Sequence, residues 1–176
     1  MEQNTVERVK SVVEGLKGDL KELTMNIYNN PEIGLTETKA CKWQKELLEK
    51  YGFEVETPYA GFDTAYRAVY KGKKTGPKIA MLAEYDALPG LGHGCGHNLI
   101  AMVGVGAGIA MREFADEYGG EIYVFGTPAE ENLGGKVQMS EQGAFDDMDV
   151  AMMAHPAGVN LDCSNTMAIN AYQISF

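Results

Sequence analysis

The sequence has few of the features that would place it in a specialised class of protein. It contains three cysteines and one tryptophan among 176 residues. Cys41, Cys95 and Cys163 are too scattered to form a disulfide framework or a Cys-x-x-Cys zinc motif. No apolar run approaches the roughly 18 residues of a transmembrane helix, and the N-terminus lacks the basic start and apolar core of a signal peptide. These absences predict a cytoplasmic protein without a transmembrane span.

Basic side chains are scarce in the second part of the chain. Residues 1–76 contain 12 acidic and 12 basic side chains, whereas residues 77–176 contain 13 acidic and 3 basic ones, which gives the net charge of −10. Nucleic acid is an unsuitable partner because its phosphates need a basic face. An acidic half suits a site that concentrates cations, although solubility would explain most of these charges equally well.

Helical and extended segments alternate along a chain that is long enough for one domain with a core. Apolar residues spaced three and four apart from Val6 to Ile27 predict an amphipathic helix over about 5–28, packed on a sheet rather than in a coiled coil. Thr36 is the expected N-cap of a second helix that ends at Tyr51, before Gly52. The further predicted elements are strands at 53–57, 64–70, 78–85, 121–126, 149–155 and 167–176, and helices at 99–114 and 133–142. This alternation indicates an α/β domain with a largely parallel sheet.

Three groups of potential metal ligands follow the predicted strands. They are Asp86, Cys95 and His97 on one glycine-rich loop after the strand at 78–85, Glu130 and Glu131 after the strand at 121–126, and His155 at the end of the strand at 149–155. Functional residues of doubly wound sheets gather outside the C-terminal ends of the strands, so these side chains are expected to meet. Sulfur, nitrogen and oxygen donors together are typical of a zinc-type site.

The ligand candidates on the glycine-rich loop also have simpler interpretations. Cys95 could be a buried small residue, which is the usual fate of a free cysteine. Asp86 could merely cap the loop, or it could orient His97, as carboxylates behind metal-bound imidazoles do, and Glu84 could equally do this. The role of His93 stays open.

The later candidates are ambiguous in the same way. Adjacent glutamates are usually an exposed acidic pair, and His155 alone would more often be a surface residue than a ligand. In an extended segment, however, Glu130 and Glu131 would point in opposite directions. One carboxylate could then bind metal while the other takes a proton from the attacking water, as metal-assisted amide hydrolysis requires.

Four motifs, in this order, resemble the di-metal aminoacylase/carboxypeptidase metallopeptidase family. They read Ala-Glu-Tyr-Asp-Ala-Leu-Pro-Gly-Leu-Gly-His-Gly-Cys-Gly-His-Asn (83–98), Gly-Thr-Pro-Ala-Glu-Glu (126–131), Gly-Ala-Phe-Asp-Asp (143–147) and Ala-His-Pro (154–156). The chain looks most like the amidohydrolase branch with aminobenzoyl-glutamate hydrolases, β-alanyl or arginine dipeptidases and auxin-conjugate hydrolases. Asn98, where other members of the branch have Asp, favours the aminobenzoyl-glutamate or dipeptidase subgroup.

The resemblance implies a fold, an activity and a set of roles. The fold would be a three-layer sandwich, with a largely parallel sheet flanked by helices. The activity would be hydrolysis of an amide bond in N-acyl amino acids or dipeptides with two divalent ions, zinc or manganese. The implied metal ligands are Cys95, His97, Glu131 and His155, and the implied catalytic residues are Glu130, as general base, and Asp86, as the carboxylate that supports the site.

Members of the family are much longer than this chain. They insert a lid domain, which mediates dimerisation, after the strand that corresponds to residues 167–176, and they supply one further histidine ligand beyond it. The resemblance therefore implies that residues 1–166 are the N-terminal part of the catalytic domain and that 167–176 begin the strand leading to the lid. The full-length relative would be a homodimer, and this chain alone would have an incomplete metal site with little or no activity.

Three other functions remain open at this point. Cys95 could be the nucleophile of a cysteine hydrolase with His97 or His155 as base, but the glutamate pair would then have no role. A nucleotide-binding domain is disfavoured, because no stretch fits Gly-x-Gly-x-x-Gly or the P-loop pattern. A non-catalytic metal-binding remnant, or a domain that pairs an unfinished sheet edge with another chain, is the third.

Overall fold

A computed structural model describes residues 2–160 of the chain. Its elements are α1 (Glu2–Asn29), α2 (Thr38–Lys50), β1 (Glu54–Glu56), β2 (Tyr66–Lys71), β3 (Lys78–Ala83), α3 (His97–Tyr118), β4 (Glu121–Gly126), α4 (Glu130–Leu133), α5 (Gly135–Glu141) and β5 (Val150–Met152). The strand predicted at 167–176 lies outside the described residues, as does Cys163. The predicted alternation of helices and strands is confirmed up to β5.

The five strands form one mixed sheet in the order β1-β2-β4-β3-β5. β3 pairs in parallel with β4 on one side and with β5 on the other. β2 runs antiparallel to both β1 and β4, so it alone opposes the direction of the other strands. The α/β class with flanking helices is confirmed, and the parallel part of the sheet is its β4-β3-β5 side.

The three long helices share one hydrophobic core with one face of the sheet. The C-terminal half of the α1 stripe is buried there, whereas Val6 and Val13 at its start are exposed. The members of this core on the helices and strands include Leu16, Leu20, Leu23, Ile27, Leu48, Met81, Val105, Ile109 and Val124. α1 therefore packs as a surface helix of an α/β domain, as predicted, and not as a coiled coil.

The opposite face of the sheet is covered by loops in the described part of the chain. Ala80, Tyr123 and Phe125 project from β3 and β4 and pack against Tyr59 and Phe145. The Phe125 and Phe145 rings meet edge to face at 5.1 Å between centroids. Aromatic side chains thus close this face without a long helix.

Helix α3 is the central helix of the domain. Its small residues let it approach the sheet closely: a Cβ on Gly104 would lie 2.8 Å from the carbonyl oxygen of Leu82. Within residues 2–160 it is also the one helix long and apolar enough to cross a membrane, yet most of it is buried inside the domain. Packing between α1 and the sheet accounts for its apolar composition.

The start of α2 differs from the prediction. Thr36 does not cap the helix; its hydroxyl donates to the carbonyl of Ile33. The first turn is instead satisfied by the carboxylate of Glu32, which accepts hydrogen bonds from the backbone N–H groups of Lys39 and Ala40 at 2.9 and 3.0 Å. A carboxylate from an earlier loop therefore replaces the N-cap side chain. The residues next to the helix start do not indicate this contact.

The carboxyl ends of β3, β4 and β5 meet at one edge of the sheet. Ala83 at the end of β3 is level with Gly126 at the end of β4, and β5 runs parallel beside β3. All of the ligand candidates lie in the loops that follow these strands or in the first turns of the helices after them. Parallel pairing is therefore what brings these distant segments together.

Candidate metal centre

The glycine-rich loop places His97 at the start of α3. Gly96 precedes the helix with φ +79°, and a Cβ there would lie 3.0 Å from the Pro156 ring. Glycine is needed both for this left-handed conformation and for the close approach of the segment that carries His155. Loop and helix start together bring the His97 ring, which is 1% exposed, to the sheet edge.

Asp86 fixes the orientation of the His97 imidazole. One oxygen of its buried carboxylate lies 3.1 Å from His97 Nδ1, and the other accepts the backbone N–H of Glu131 at 3.0 Å. Burial would raise the pKa of Asp86, but the hydrogen bonds from His97 and Glu131 outweigh it and lower the pKa. Burial would likewise lower the pKa of His97, but the facing carboxylates of Asp86 and Glu84 raise it. Asp86 therefore leaves Nε2 as the nitrogen that faces the site.

Glu130 and Glu131 are not in an extended segment, and that prediction was wrong. Ala129 adopts φ +58° and turns the chain into α4, so the two glutamates form the first turn of a short helix. Their carboxylates do not point in opposite directions: Glu130 Oε2 and Glu131 Oε1 lie 3.9 and 3.6 Å from His97 Nε2. Buried Glu37 holds this turn in place by accepting the N–H of Ala129 at 2.8 Å.

Cys95 lies beside Glu131 at the mouth of the site. Its sulfur, a ring nitrogen of His97 and a carboxylate oxygen of Glu131 all lie within 4.8 Å of one another. A hydrogen bond with Glu131, followed by burial, raises the pKa of the thiol to about 11. The thiol is half-buried and is not enclosed in an apolar interior, so its surroundings are those of a potential ligand.

His155 reaches the same region from a different position than expected. β5 ends at Met152, so His155 lies in the loop beyond the strand and is exposed. Its ring stands edge-on to that of His97, with 6.1 Å between centroids. A second group of donors, Glu84, His97 and His155, also has its ligand atoms within 4.8 Å of one another.

These donors fit a divalent cation. His97 Nε2 is buried and has no hydrogen-bond partner among residues 2–160. Two ligands at the roughly 2.0–2.1 Å typical of zinc, held at a tetrahedral angle, are about 3.4 Å apart. The oxygens of Glu84 and Glu131 lie 3.4 and 3.6 Å from Nε2. The two donor groups share His97, and a ring nitrogen binds one ion, so two ions would require adjacent positions with His97 in only one of them.

Sequence reasoning missed Lys136 and the position of Glu84. Glu84 is 2% exposed, faces His97 Nε2 rather than Nδ1, and forms an ion pair with the ammonium of Lys136 from α5. It is therefore not the carboxylate that orients His97 from behind. The available signal was that Lys136 is one of only 3 basic residues after position 76.

Asn98 and His93, which the sequence analysis also discussed, have other contacts. Asn98 points away from the site: its amide donates to the Thr24 hydroxyl at 3.1 Å, which joins α3 to α1. His93 belongs to neither of the two donor groups found in residues 2–160, and burial lowers its pKa.

The site does not favour a cysteine nucleophile. The hydrogen-bond partner of the Cys95 thiol is the carboxylate of Glu131, whereas a nucleophilic cysteine is activated by an imidazole base such as His97 or His155. The remaining interpretations, a nucleotide-binding domain and a sheet edge that pairs with another chain, stay untested predictions.

Comparison with known proteins points to one family. No protein-family model matches the chain. The Xaa-Arg dipeptidase of Mus musculus is 38% identical over 177 residues, covering 91% of this chain and 39% of that protein. A p-aminobenzoyl-glutamate hydrolase polypeptide of Escherichia coli (strain K12) is 32% identical over 167 residues, covering 84% of this chain and 34% of that polypeptide.

The fold agrees with the sequence comparison. A dinuclear metal-binding peptidase of the M20 family from Bacillus subtilis has a TM-score of 0.69 and 24% identity, over 81% of this chain and 42% of that one. The chain spans about two-fifths of the length of these relatives. By sequence, by fold and by the donor set at its sheet edge, the chain belongs to the di-metal aminoacylase/carboxypeptidase metallopeptidase family.

Proposed function

We propose that the protein carrying this sequence hydrolyses an amide bond in dipeptides or N-acyl amino acids, using divalent metal ions and Glu130 as general base. The observation that supports this most is the cluster of Cys95, His97 and Glu131 ligand atoms within 4.8 Å, with the Glu130 carboxylate 3.9 Å from His97 Nε2. Relatives named as dipeptidases and amidohydrolases support the same class of reaction.

Each residue has a defined task in this proposal. A bound divalent cation supplies Lewis-acid chemistry, which polarises the substrate carbonyl and lowers the pKa of water. Cys95, His97, Glu131 and His155 hold the cations, and Asp86 keeps His97 and the Glu131 backbone in position. Glu130, whose side chain is 40% exposed and so reaches the open side of the site, accepts a proton from water and donates it to the departing amine.

The pKa of Glu130 suits this transfer. Burial, helped by the negative charge of Glu84, raises it above its ordinary value, so the carboxyl holds a proton more readily than a free glutamate does. A base with such a pKa can both take a proton and return it within one catalytic cycle. Asp86, by contrast, is a positioning residue, because its two oxygens are committed to His97 and Glu131.

The proposal also covers the identity of the metal, the localisation of the protein, its oligomeric state and its domain organisation. The thiol of Cys95 favours zinc, whereas the carboxylates and imidazoles accept zinc or manganese. We propose a cytoplasmic homodimer in which residues 1–166 belong to the catalytic domain and 167–176 lead toward a lid. Small molecules with a scissile amide are the substrates.

Hydrolysis assays on the protein that contains this sequence test the proposal. Xaa-Arg dipeptides, N-acetyl amino acids and p-aminobenzoyl-glutamate form the substrate panel, with and without a chelator. We expect Glu130→Gln to lower kcat by about 10²–10⁴-fold with unchanged metal content, and the exposed Glu141→Gln to have no effect. Activity that survives chelation and disappears only on alkylation of Cys95 would favour the cysteine hydrolase instead.

A further inference from the structure

Glu84 and His97 present two buried atoms to each other that no protein group satisfies. Glu84 Oε2 and His97 Nε2 are 3.4 Å apart, their side chains are 2% and 1% exposed, and neither atom has a hydrogen-bond partner among residues 2–160. Leaving a buried polar atom unpaired costs about 1–3 kcal/mol. Two such atoms facing each other therefore indicate that something absent from the polypeptide lies between or beside them.

The tautomer of His97 makes this more specific. Nδ1 lies against the Asp86 carboxylate and so carries the ring proton of the neutral imidazole. The lone pair of Nε2 then points toward the region that the Glu84 carboxylate also faces. Two electron-rich groups at 3.4 Å repel each other unless positive charge lies beside them.

The other oxygen of Glu84 is already neutralised. Lys136 donates to Oε1 from α5, which provides the counter-charge that a buried carboxylate needs. Oε2 is left over for a second cation. His155 completes this side of the site, since one of its ring nitrogens lies within 4.8 Å of the ligand atoms of Glu84 and His97.

From this geometry we infer that Glu84 is a direct metal ligand, which binds a second divalent cation together with His155, next to the position formed by Cys95, His97 and Glu131. The inference rests on the proposed metal centre and adds a ligand to it. Lys136 holds Glu84 in place from the far side and does not bind the ion. The structure thereby assigns a function to a buried acid that sequence reasoning offered only as a second carboxylate behind His97.

Metal titration of the purified protein that contains this sequence tests the inference without relying on activity. Chelator-stripped protein is titrated with Co²⁺ as a spectroscopic substitute for zinc, and bound metal is counted by elemental analysis. The thiolate-to-cobalt absorption band that Cys95→Ser removes reports the position at Cys95. We expect two ions in the unaltered chain and one in Glu84→Gln, with the thiolate band retained and the second ion weakened at least about tenfold.

Three companion variants separate ligation from structure. Lys136→Gln breaks the same ion pair but keeps the carboxylate, so it should keep both ions; Glu113→Gln, on the exposed face of α3, should behave like the unaltered chain. If Glu84→Gln fails to fold, judged by circular dichroism, Glu84→Asp takes its place, with the same selective loss expected.

The outcomes distinguish this inference from the proposed function. Two ions bound equally well by the Glu84 variant, a single ion in the unaltered chain, or an equal loss in Lys136→Gln would overturn the role of Glu84 while leaving the Cys95 position intact. An unaltered chain that binds no ion and shows no thiolate band would instead contradict the metal centre itself.

Discussion

At the scale of single residues, the site depends on how one imidazole is held. His97 is fixed at Nδ1 by Asp86, so that Nε2 faces the carboxylates of Glu84, Glu130 and Glu131. Asp86 also accepts the backbone N–H of Glu131. One buried acid thus sets the position of two proposed ligands that come from different helices.

The substitution Asp86→Asn should weaken metal binding by about 10–100-fold, because the amide loses the charge that orients His97 and the turn of Glu131. Competition with a coloured chelator measures the dissociation constants. Asp63→Asn, a change of the same type at an exposed loop residue, is the control. Equal affinities in the two variants would show that Asp86 does not position the ligands.

At the scale of elements, helix α3 depends on glycine where it meets β3. A Cβ on Gly104 would lie 2.8 Å from the Leu82 carbonyl oxygen and 3.1 Å from the Ala83 side chain, whereas a Cβ on Gly15 in α1 would meet nothing within 4 Å. The obstacle at Gly104 is backbone, which cannot rotate away. Position 104 therefore requires glycine, whereas position 15 has room for a larger side chain.

Gly104→Ala should destabilise the domain by about 1–3 kcal/mol, because overpacking exceeds the gain in helix propensity. Gly15→Ala is the matched change and should stabilise it by about 0.5–1 kcal/mol. Urea unfolding followed by circular dichroism gives both values. A Gly104 variant that is as stable as the Gly15 variant would mean that α3 can shift on the sheet.

A polar contact joins α1 to the end of α2. Asp19 accepts from Lys50 Nζ at 2.6 Å and from the Tyr51 hydroxyl at 2.8 Å. The hydrogen bond with Lys50, then that with Tyr51, lowers the pKa of Asp19 below its ordinary value of 3.8. A lowered pKa means that the folded state favours the carboxylate, so the contact stabilises above about pH 4 and is lost as the pH falls through the folded-state pKa.

Asp19→Asn should therefore destabilise the protein at pH 7 by roughly 0.5–1 kcal/mol, a small value because solvent screens the pair. The difference from the unaltered protein should shrink below about pH 4. Thermal unfolding between pH 3 and pH 7 tests this, with Glu14→Gln in an exposed pair of α1 as control. A difference that does not change with pH would assign the effect to packing.

At the scale of the whole molecule, the proposed metal centre would join segments that are distant in the sequence. The donors come from the loop after β3, from the starts of α3 and α4 and from the loop after β5. An ion that binds only the folded chain stabilises it by mass action, by about 2.7 kcal/mol when its concentration is 100 times Kd. Metal binding and folding would therefore be coupled across the domain.

Zinc or manganese should raise the melting temperature of the chelator-stripped chain, and Cys95→Ser should remove most of the zinc-dependent increase. Differential scanning calorimetry at several metal concentrations measures the effect. Mg²⁺, which prefers oxygen ligands, is the control cation and should have little effect. A melting temperature that does not respond to zinc would contradict the metal centre.

Most helices and strands of this fold can be predicted from the sequence. The apolar spacing of α1, the buried run of β3 and the small residues of α3 are local patterns, and each predicted its element within a few residues. The start of α2 was misplaced because Glu32, which satisfies its first turn, comes from outside the helix. Glu130 and Glu131 were expected to be extended because the neighbouring sequence does not indicate the left-handed conformation of Ala129.

The class of fold and the kinds of donor atoms follow from the sequence alone, because hydrophobic periodicity and residue chemistry are properties of each short segment. The sequence did not show that Asp86 and Glu84 lie on opposite sides of His97 or that Lys136 neutralises Glu84, because contacts between distant segments fix these positions. The direction of a loop side chain follows from backbone angles such as those of Gly96 and Ala129 and from contacts between distant segments. Those contacts exist only once parallel strands have brought their ends to one edge.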